Sequence, residues 1–112
     1  MQNLNELRDE IYDDAVKHGL WNEAEALRIW DHCGKRTKYA IDRVRREGCA
    51  MRIRDEVEEL YDEACDEINY AEELADVIIM ALSVAGYLGI DIEKAVREKM
   101  EINRGREWRH GK

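Results

Sequence analysis

The chain of 112 residues contains no proline and no phenylalanine, and it has only three cysteines. Cys33, Cys49 and Cys65 are odd in number and widely spaced. We therefore expect neither a disulfide framework nor a zinc site, and a reducing cytoplasm is the default location. Hydrophobic residues make up 45% of the chain and charged residues 39%. With many charges at helical spacing, this composition predicts an all-α fold rather than a disordered tail.

A long apolar segment and a secretion signal are also missing. The longest apolar run, residues 77–90, has 14 residues and contains two glycines, whereas a membrane-spanning helix needs about 20 apolar residues. The first six residues have neither a basic start nor an apolar stretch, so we expect no signal peptide. We interpret residues 1–112 as a single helical domain that does not enter a membrane.

Basic residues are missing from one stretch. Residues 55–76 carry eleven acids and no Lys or Arg, whereas residues 35–54 carry eight cations and two acids. A solvated helix surface usually mixes both signs to form local pairs, so the acidic block needs neutralisation by the basic segments or by a metal ion. Segment 35–54 could bind nucleic acid, but it contains no base-reading motif, and we do not expect nucleic acid as a partner.

Glycines and capping residues predict five helices. We expect them over residues 4–18, 22–47, 50–68, 69–88 and 91–104. A glycine follows the first, second, fourth and fifth of them as a stop, and Gly34 could interrupt the second. The fourth is apolar on nearly every side after Asp76, which predicts burial on all sides. Because one small domain can hardly provide that burial, we expect a homo-oligomer.

Four carboxylates are spaced so that they can meet between two helices. Glu56 and Glu59 are three residues apart beside the apolar stripe of the third helix, and Glu73 and Asp76 repeat that spacing in the fourth. Charges at the head of so apolar a segment need a partner, because burying them alone is costly. Carboxylate oxygens suit Mg²⁺ or Mn²⁺, and Glu63, one turn beyond Glu59, is an alternative ligand. A metal held in this way indicates phosphate chemistry.

The sequence around these carboxylates resembles the MazG-like all-α nucleoside triphosphate pyrophosphohydrolases. The two acidic pairs stand as Glu-Val-Glu-Glu at residues 56–59 and Glu-Leu-Ala-Asp at residues 73–76. Residues 89–95 and 99–106 are also similar to that family, and His-Gly-Leu-Trp at residues 18–21 resembles an N-terminal signature of one subgroup. The basic insert, residues 28–49, is longer than expected for the family and has no counterpart that we can place.

The resemblance implies a four-helix-bundle-like domain that assembles as a homodimer or homotetramer with sites between subunits. It implies Mg²⁺-dependent hydrolysis of (deoxy)nucleoside triphosphates to the monophosphate and pyrophosphate, in nucleotide pool control or housecleaning. The implied metal and catalytic residues are Glu56, Glu59, Glu73 and Asp76. The implied contacts to triphosphate or sugar are Lys99, Asn103 and Arg106.

Two residues near the N-terminus have two interpretations each. Trp21 could stack on a nucleobase or cover core surface. His18 could contact the base or a phosphate, or it could simply sit at a helix end where the local dipole favours it. The alternative to an enzyme is a non-catalytic helical module that binds a partner or nucleic acid through segment 35–54. This alternative predicts that the protein shows no turnover and that Mg²⁺ does not stabilise it.

Overall fold

The computed structural model describes residues 3–26, 34–64 and 67–106. These residues form five α-helices and no strand, which confirms the all-α prediction for this part of the chain. The helices are α1 (Leu4–Lys17), α2 (Asn22–Ala26), α3 (Lys35–Asp62), α4 (Glu67–Leu88) and α5 (Ile92–Arg104). Within the described ranges, no single helix combines the length and the apolar character that crossing a membrane requires.

The boundaries of the second and third predicted helices are wrong. We expected Gly48 to end a helix, but α3 begins after Gly34, which has a φ of 86°, and continues through Gly48 to Asp62. A glycine inside a helix costs only about 1 kcal/mol relative to alanine, too little to stop a helix whose neighbouring residues favour it. The part of the predicted second helix at residues 27–33 lies outside the described residues.

The third helix also ends earlier than predicted. We assigned Ile68 to its apolar stripe, but α3 ends at Asp62 and Ile68 belongs to α4, where it is exposed. The last turn of α3 contains acids and no basic residue. Negative charge at a helix C-terminus opposes the helix dipole, which favours an early end in this acidic block.

Helix α4 is central, because α1 and α3 both pack against it, whereas α5 packs against α1. The buried core lies along the C-terminal half of α4. There the Trp21 ring stacks on Tyr87, with 4.4 Å between centroids, and its Nε1 donates to the Ser83 hydroxyl at 2.9 Å. The turn after α1 therefore closes the core over one end of α4.

The N-terminal half of α4 is not buried within one chain. Leu74, Ile78 and Ile79 are 43%, 53% and 46% exposed. We expected that one small domain would not bury this helix alone, and these exposures agree with that; its burial in a homo-oligomer stays a prediction. A single chain of this size has too few helices to cover both halves of α4, so the apolar side chains nearest the acidic residues are left open.

The starts of α1 and α5 cap each other. The Asn5 side chain accepts from the Ile92 N–H at 2.9 Å and donates to Asp91 at 2.8 Å. In return, a Glu93 oxygen accepts from the Leu4 N–H at 2.9 Å. The first N–H groups of a helix have no partner inside it, so each helix supplies acceptors for the other. Asp91 is also the N-cap residue of α5, as predicted.

We expect the charges in this capping network to matter at neutral pH and not in acid. Hydrogen bonds from Asn5 and from the Lys94 N–H lower the pKa of Asp91, and bonds from the first N–H of α1 and from Arg97 lower the pKa of Glu93. The stability that a lowered carboxyl pKa contributes is complete above its ordinary value and is lost as the pH falls through the lowered value.

The variant that combines Asp91→Asn with Glu93→Gln tests this expectation, because it removes both charges and keeps the side-chain shapes. Its Tm should lie below that of the wild type at about pH 7 and approach the wild-type value at about pH 3. Circular dichroism melts at both pH values measure the two differences. An equal Tm difference at both values would show that the charges do not contribute.

Candidate metal centre

Three carboxylates from two helices come together where α3 meets α4. Glu56 and Glu59 lie on α3 and Glu73 lies on α4, and one oxygen of each is within 4.8 Å of the others. The three-residue spacing on α3 places the first two on one face. The packing of α4 against α3 supplies the third. We call this group the carboxylate cluster.

The carboxylate cluster is partly withdrawn from solvent. Glu56 and Glu73 are half-buried and Glu59 is exposed. The Oε2 atom of Glu73 is buried and has no hydrogen-bond partner within the described part of the chain. A buried acceptor without a donor is destabilising, and such atoms in native proteins often face an ion or a water.

The electrostatics of the carboxylate cluster are repulsive. Burial raises the pKa of Glu56, and the charges of Glu59 and Asp76 raise it further. Burial also raises the pKa of Glu73, with added contributions from Glu59, Asp76 and Glu63. Like charges held this closely favour protonation unless a cation stands among them. The ligand set is all oxygen and carries three negative charges, so it fits a hard divalent cation such as Mg²⁺ or Mn²⁺.

Asp76 and Glu63 lie near the carboxylate cluster but outside it. Asp76 follows Glu73 by one turn of α4 and is exposed; its charge acts on both half-buried members. Glu63 follows the end of α3, where it accepts a long hydrogen bond of 3.5 Å from Asn69. The carboxylate cluster therefore consists of Glu56, Glu59 and Glu73, and Glu63 lies at its edge.

The three predicted substrate contacts belong to the segment that begins at the C-terminal end of α4, whereas the carboxylate cluster lies toward its N-terminus. Lys99 and Asn103 lie on α5 and Arg106 follows its end; Asn103 is half-buried and the other two are exposed. Helix α5 begins just after the C-terminus of α4, and the chain bends by 116° between the two helices. Helix α5 then packs against α1. The carboxylate cluster lies toward the N-terminus of α4, so the fold separates these two sets along that helix.

Trp21 is a core residue, which corrects its place among the predicted substrate contacts. Its side chain is only 1% exposed. One face of the ring lies on Tyr87, and the Arg52 guanidinium lies over the ring with its Cζ 4.9 Å from the centroid. With both faces covered, the ring offers no surface on which a base could stack. Of the two interpretations, the core interpretation describes Trp21.

His18 is exposed at the end of α1, where its Nδ1 lies 2.7 Å from the Asp14 carbonyl oxygen. It also borders a mostly apolar cavity of about 270 Å³ between α1 and α4, with Ile79 and Met80 on the opposite side. Both interpretations of His18, as a helix-end residue and as a ligand contact, are compatible with this position.

Sequence reasoning did not identify a second cavity, of about 310 Å³, between the residues after α1 and the middle of α3. Arg45, Gly48 and Arg52 line it on the α3 side. The available signal was the spacing of Arg45, Arg52 and Glu56, seven and four residues apart, which places all three on one helix face. The wrong helix boundary at Gly48 concealed that face.

Much of the positive charge in segment 35–54 is paired within α3. The ion pairs are Lys38–Asp42 at 3.5 Å, Arg43–Glu47 at 2.8 Å, Arg45–Asp42 at 3.1 Å and Arg54–Glu58 at 3.9 Å. The last of these joins the basic segment to the acidic block, as we expected for part of its neutralisation. These local pairs reduce the positive charge that the segment presents to nucleic acid or to an acidic partner.

One known protein is similar to a large part of this chain. A dATP/dGTP diphosphohydrolase of cyanophage S-2L is 41% identical over 61 residues. The match spans 54% of this chain and 56% of the relative. No family model matches the chain, and no solved structure matches it. The chain is therefore related, over about half its length, to a nucleotide diphosphohydrolase.

Proposed function

We propose that this protein hydrolyses (deoxy)nucleoside triphosphates to the monophosphate and pyrophosphate, with Mg²⁺ as cofactor and Mn²⁺ as an alternative. The carboxylate cluster carries this proposal, because three acidic oxygens within 4.8 Å of one another repel each other unless a cation or a proton offsets their charge. The partial relative supports the substrate class through its name, dATP/dGTP diphosphohydrolase.

In the proposed site, Glu56, Glu59, Glu73 and Asp76 would hold the ion. When bound, Mg²⁺ would supply positive charge that offsets these carboxylates and polarises the phosphate oxygens. An acidic cluster alone would repel a triphosphate, so the proposal requires both the ion and cationic side chains from elsewhere.

In the proposed reaction, a water molecule attacks the α-phosphorus of the nucleotide. A water oxygen forms a bond to that phosphorus, and the bond from the phosphorus to the oxygen bridging toward the β-phosphate breaks. Pyrophosphate leaves, and a carboxylate oxygen of the cluster would take the proton of the water. Lys99, Asn103 and Arg106 would hold the phosphates or the sugar through charged and amide hydrogen bonds.

Incubation with a panel of nucleotides is the direct test of the proposed reaction. Incubation with each deoxynucleoside triphosphate and Mg²⁺ should release pyrophosphate and the monophosphate, and chelation of the metal by EDTA should stop the release. Separation of the products by ion-exchange chromatography distinguishes pyrophosphate from single phosphate. Release of single phosphate would overturn the reaction class, and absence of turnover with every nucleotide would overturn the enzymatic proposal.

We further propose that the site is completed by a second copy of the chain. Because α5 starts from the far end of α4, a neighbouring subunit is a direct source of Lys99, Asn103 and Arg106. The exposed apolar side chains on the N-terminal half of α4 would pack in the same interface. A homodimer and a homotetramer both satisfy this arrangement.

A charge introduced on that half of α4 should dissociate the assembly. Ile78 is 53% exposed on α4, so Ile78→Glu would place a carboxylate in an apolar interface without a partner. Tyr39→Glu is the matched control near the start of α3, away from the proposed interface, since Tyr39 is 67% exposed. Light scattering coupled to size exclusion should give a dimer or tetramer for the wild type and the control, and a monomer for Ile78→Glu. A monomeric wild type would contradict the interface.

A further inference from the structure

We propose that the cavity of about 310 Å³ beside α3 binds the base of the substrate nucleotide, and that its chemistry selects guanine. This inference rests on the proposed function for the location of the triphosphate. We call this cavity the α3 pocket, and its lining includes Trp21, Glu23, Arg45, Gly48 and Arg52.

The α3 pocket continues the face of α3 that carries the carboxylate cluster. Arg52 precedes Glu56 by four residues and Arg45 precedes it by eleven, which are close to one and three helical turns. Along the axis of α3 these separations are about 6 Å and about 16 Å. A nucleotide whose phosphates lie at the carboxylates can therefore extend along one helix face into the pocket.

Gly48 lines the α3 pocket without a side chain that would project into it. It lies in the middle of α3 between the two arginines, and a Cβ atom built at this position would meet no other atom within 4 Å. The space beside the helix is therefore open at the level where a ligand would pass. A larger side chain here would project from the wall of the pocket.

Two flat groups form a stacking platform in the α3 pocket. The Arg52 guanidinium lies over the buried Trp21 ring, with its Cζ 4.9 Å from the centroid. This contact with a fixed ring holds the guanidinium in place. Bases stack on arginine planes as they do on aromatic rings. Arg52 therefore offers a base the platform that Trp21, covered on both faces, cannot.

Polar groups of both kinds line the α3 pocket and favour guanine. The Arg45 side chain is only 8% exposed, and its Nη1 donates to Asp42 at 3.1 Å, which orients the guanidinium. Arginine pairs with the O6 and N7 acceptors of guanine through two donors. The exposed Glu23 carboxylate can accept from the two adjacent N–H groups on the opposite edge of guanine. No other standard base offers two adjacent acceptors and two adjacent donors in this way.

The experiment uses base analogues, so its first arm needs no mutation. The values of kcat/KM for pyrophosphate release are measured for dGTP, for 7-deaza-dGTP, which lacks the N7 acceptor, and for dITP, which lacks the exocyclic amino group. We expect each analogue to fall about tenfold below dGTP, the scale of a lost bidentate contact. Equal values for all three would overturn the inference and leave the proposed function intact.

The second arm assigns each contact to a residue. Arg45→Met should remove the discrimination against 7-deaza-dGTP, and Glu23→Gln should remove that against dITP. Arg46→Met changes an exposed arginine next to Arg45 and is the matched control, which should keep both preferences. Unchanged discrimination in a folded Arg45→Met protein would overturn the assignment of Arg45.

A binding measurement separates this inference from the proposed function. Calorimetry with Mg²⁺ and the α,β-imido analogues of dGTP and 7-deaza-dGTP reports on the α3 pocket without turnover. Tighter binding of the dGTP analogue without pyrophosphate release from any nucleotide would keep the pocket and overturn the proposed function. Absence of binding by both analogues would overturn the pocket as well.

Discussion

Glu73→Gln should abolish turnover and at the same time make the metal-free protein more stable. Turnover should fall about a hundredfold or more, the scale seen when one group that stabilises the transition state is removed. Stability should rise because the pKa of Glu73 is raised by burial and by the charges of Glu59 and Asp76. The charged form is therefore unfavourable in the folded protein, and the amide removes it while keeping the side-chain shape.

The size of this gain in stability depends on pH in a defined way. A raised carboxyl pKa in the folded state destabilises the protein fully above that raised value and not at all below the ordinary value. The gain in Tm from Glu73→Gln in EDTA should therefore be present at neutral pH and vanish in acid. Addition of Mg²⁺ should raise the Tm of the wild type by mass action and leave the variant nearly unchanged.

Glu72→Gln is the matched control for this experiment. Glu72 is the preceding residue on α4; it is exposed and lies outside the carboxylate cluster. It should keep both turnover and the stabilisation by Mg²⁺. Asp76→Asn should lose turnover with a smaller effect on Tm, since Asp76 is exposed. Retained activity in Glu73→Gln or in Asp76→Asn would remove that residue from the proposed site.

The carboxylate cluster could be predicted from the sequence because its geometry is mostly local. The spacing of Glu56 and Glu59 places them on one helix face. Few residues separate α3 from α4, so helical packing between chain neighbours was enough to bring Glu73 to them. Asp76 followed from the same spacing, but its oxygens lie outside the 4.8 Å group. Small offsets of that kind depend on side-chain rotamers, which periodicity does not specify.

Features that depend on packing between distant segments could not be predicted in this way. Trp21 and Tyr87 are 66 positions apart, and only the tertiary fold stacks their rings. Arg52 reaches Trp21 because α3 continues through Gly48, and the sequence suggested a stop there. A glycine with open space on all sides and a glycine that ends a helix look the same in a sequence. The α3 pocket was hidden for this reason.

A comparison of Gly86 with Gly48 shows how strongly the space beside a glycine should affect stability. Gly86 lies on α4 where α1 crosses it, and a Cβ atom there would stand 2.5 Å from the Cβ of Tyr12 and 2.8 Å from its Cγ. Both of those atoms lie close to the backbone of α1, so rotation of the tyrosine ring cannot relieve the contact. Helix α1 itself would have to move away from α4.

Gly86→Ala should therefore lower the free energy of unfolding by about 2 kcal/mol, within the range of about 1–3 kcal/mol for overpacked cores. The displacement would also disturb the contact of Tyr12 with the Trp21 ring, 6.3 Å between centroids, and the hydrogen bond that the Tyr12 hydroxyl donates to Glu25 at 3.3 Å. The loss should exceed the gain from alanine as the better helix former, which is about 1 kcal/mol.

Gly48→Ala is the same substitution in the interior of another helix, with no atom within 4 Å of the new methyl group. It should raise the free energy of unfolding by about 0.5–1 kcal/mol, because alanine loses less backbone entropy on folding. Urea titrations in EDTA measure both changes without any contribution from metal binding. The two substitutions should change the free energy of unfolding in opposite directions, because a second helix fills the space beside Gly86 but not the space beside Gly48. A stabilising Gly86→Ala would mean that α1 does not press on α4 there, and the closure of the core over Trp21 would then need another explanation.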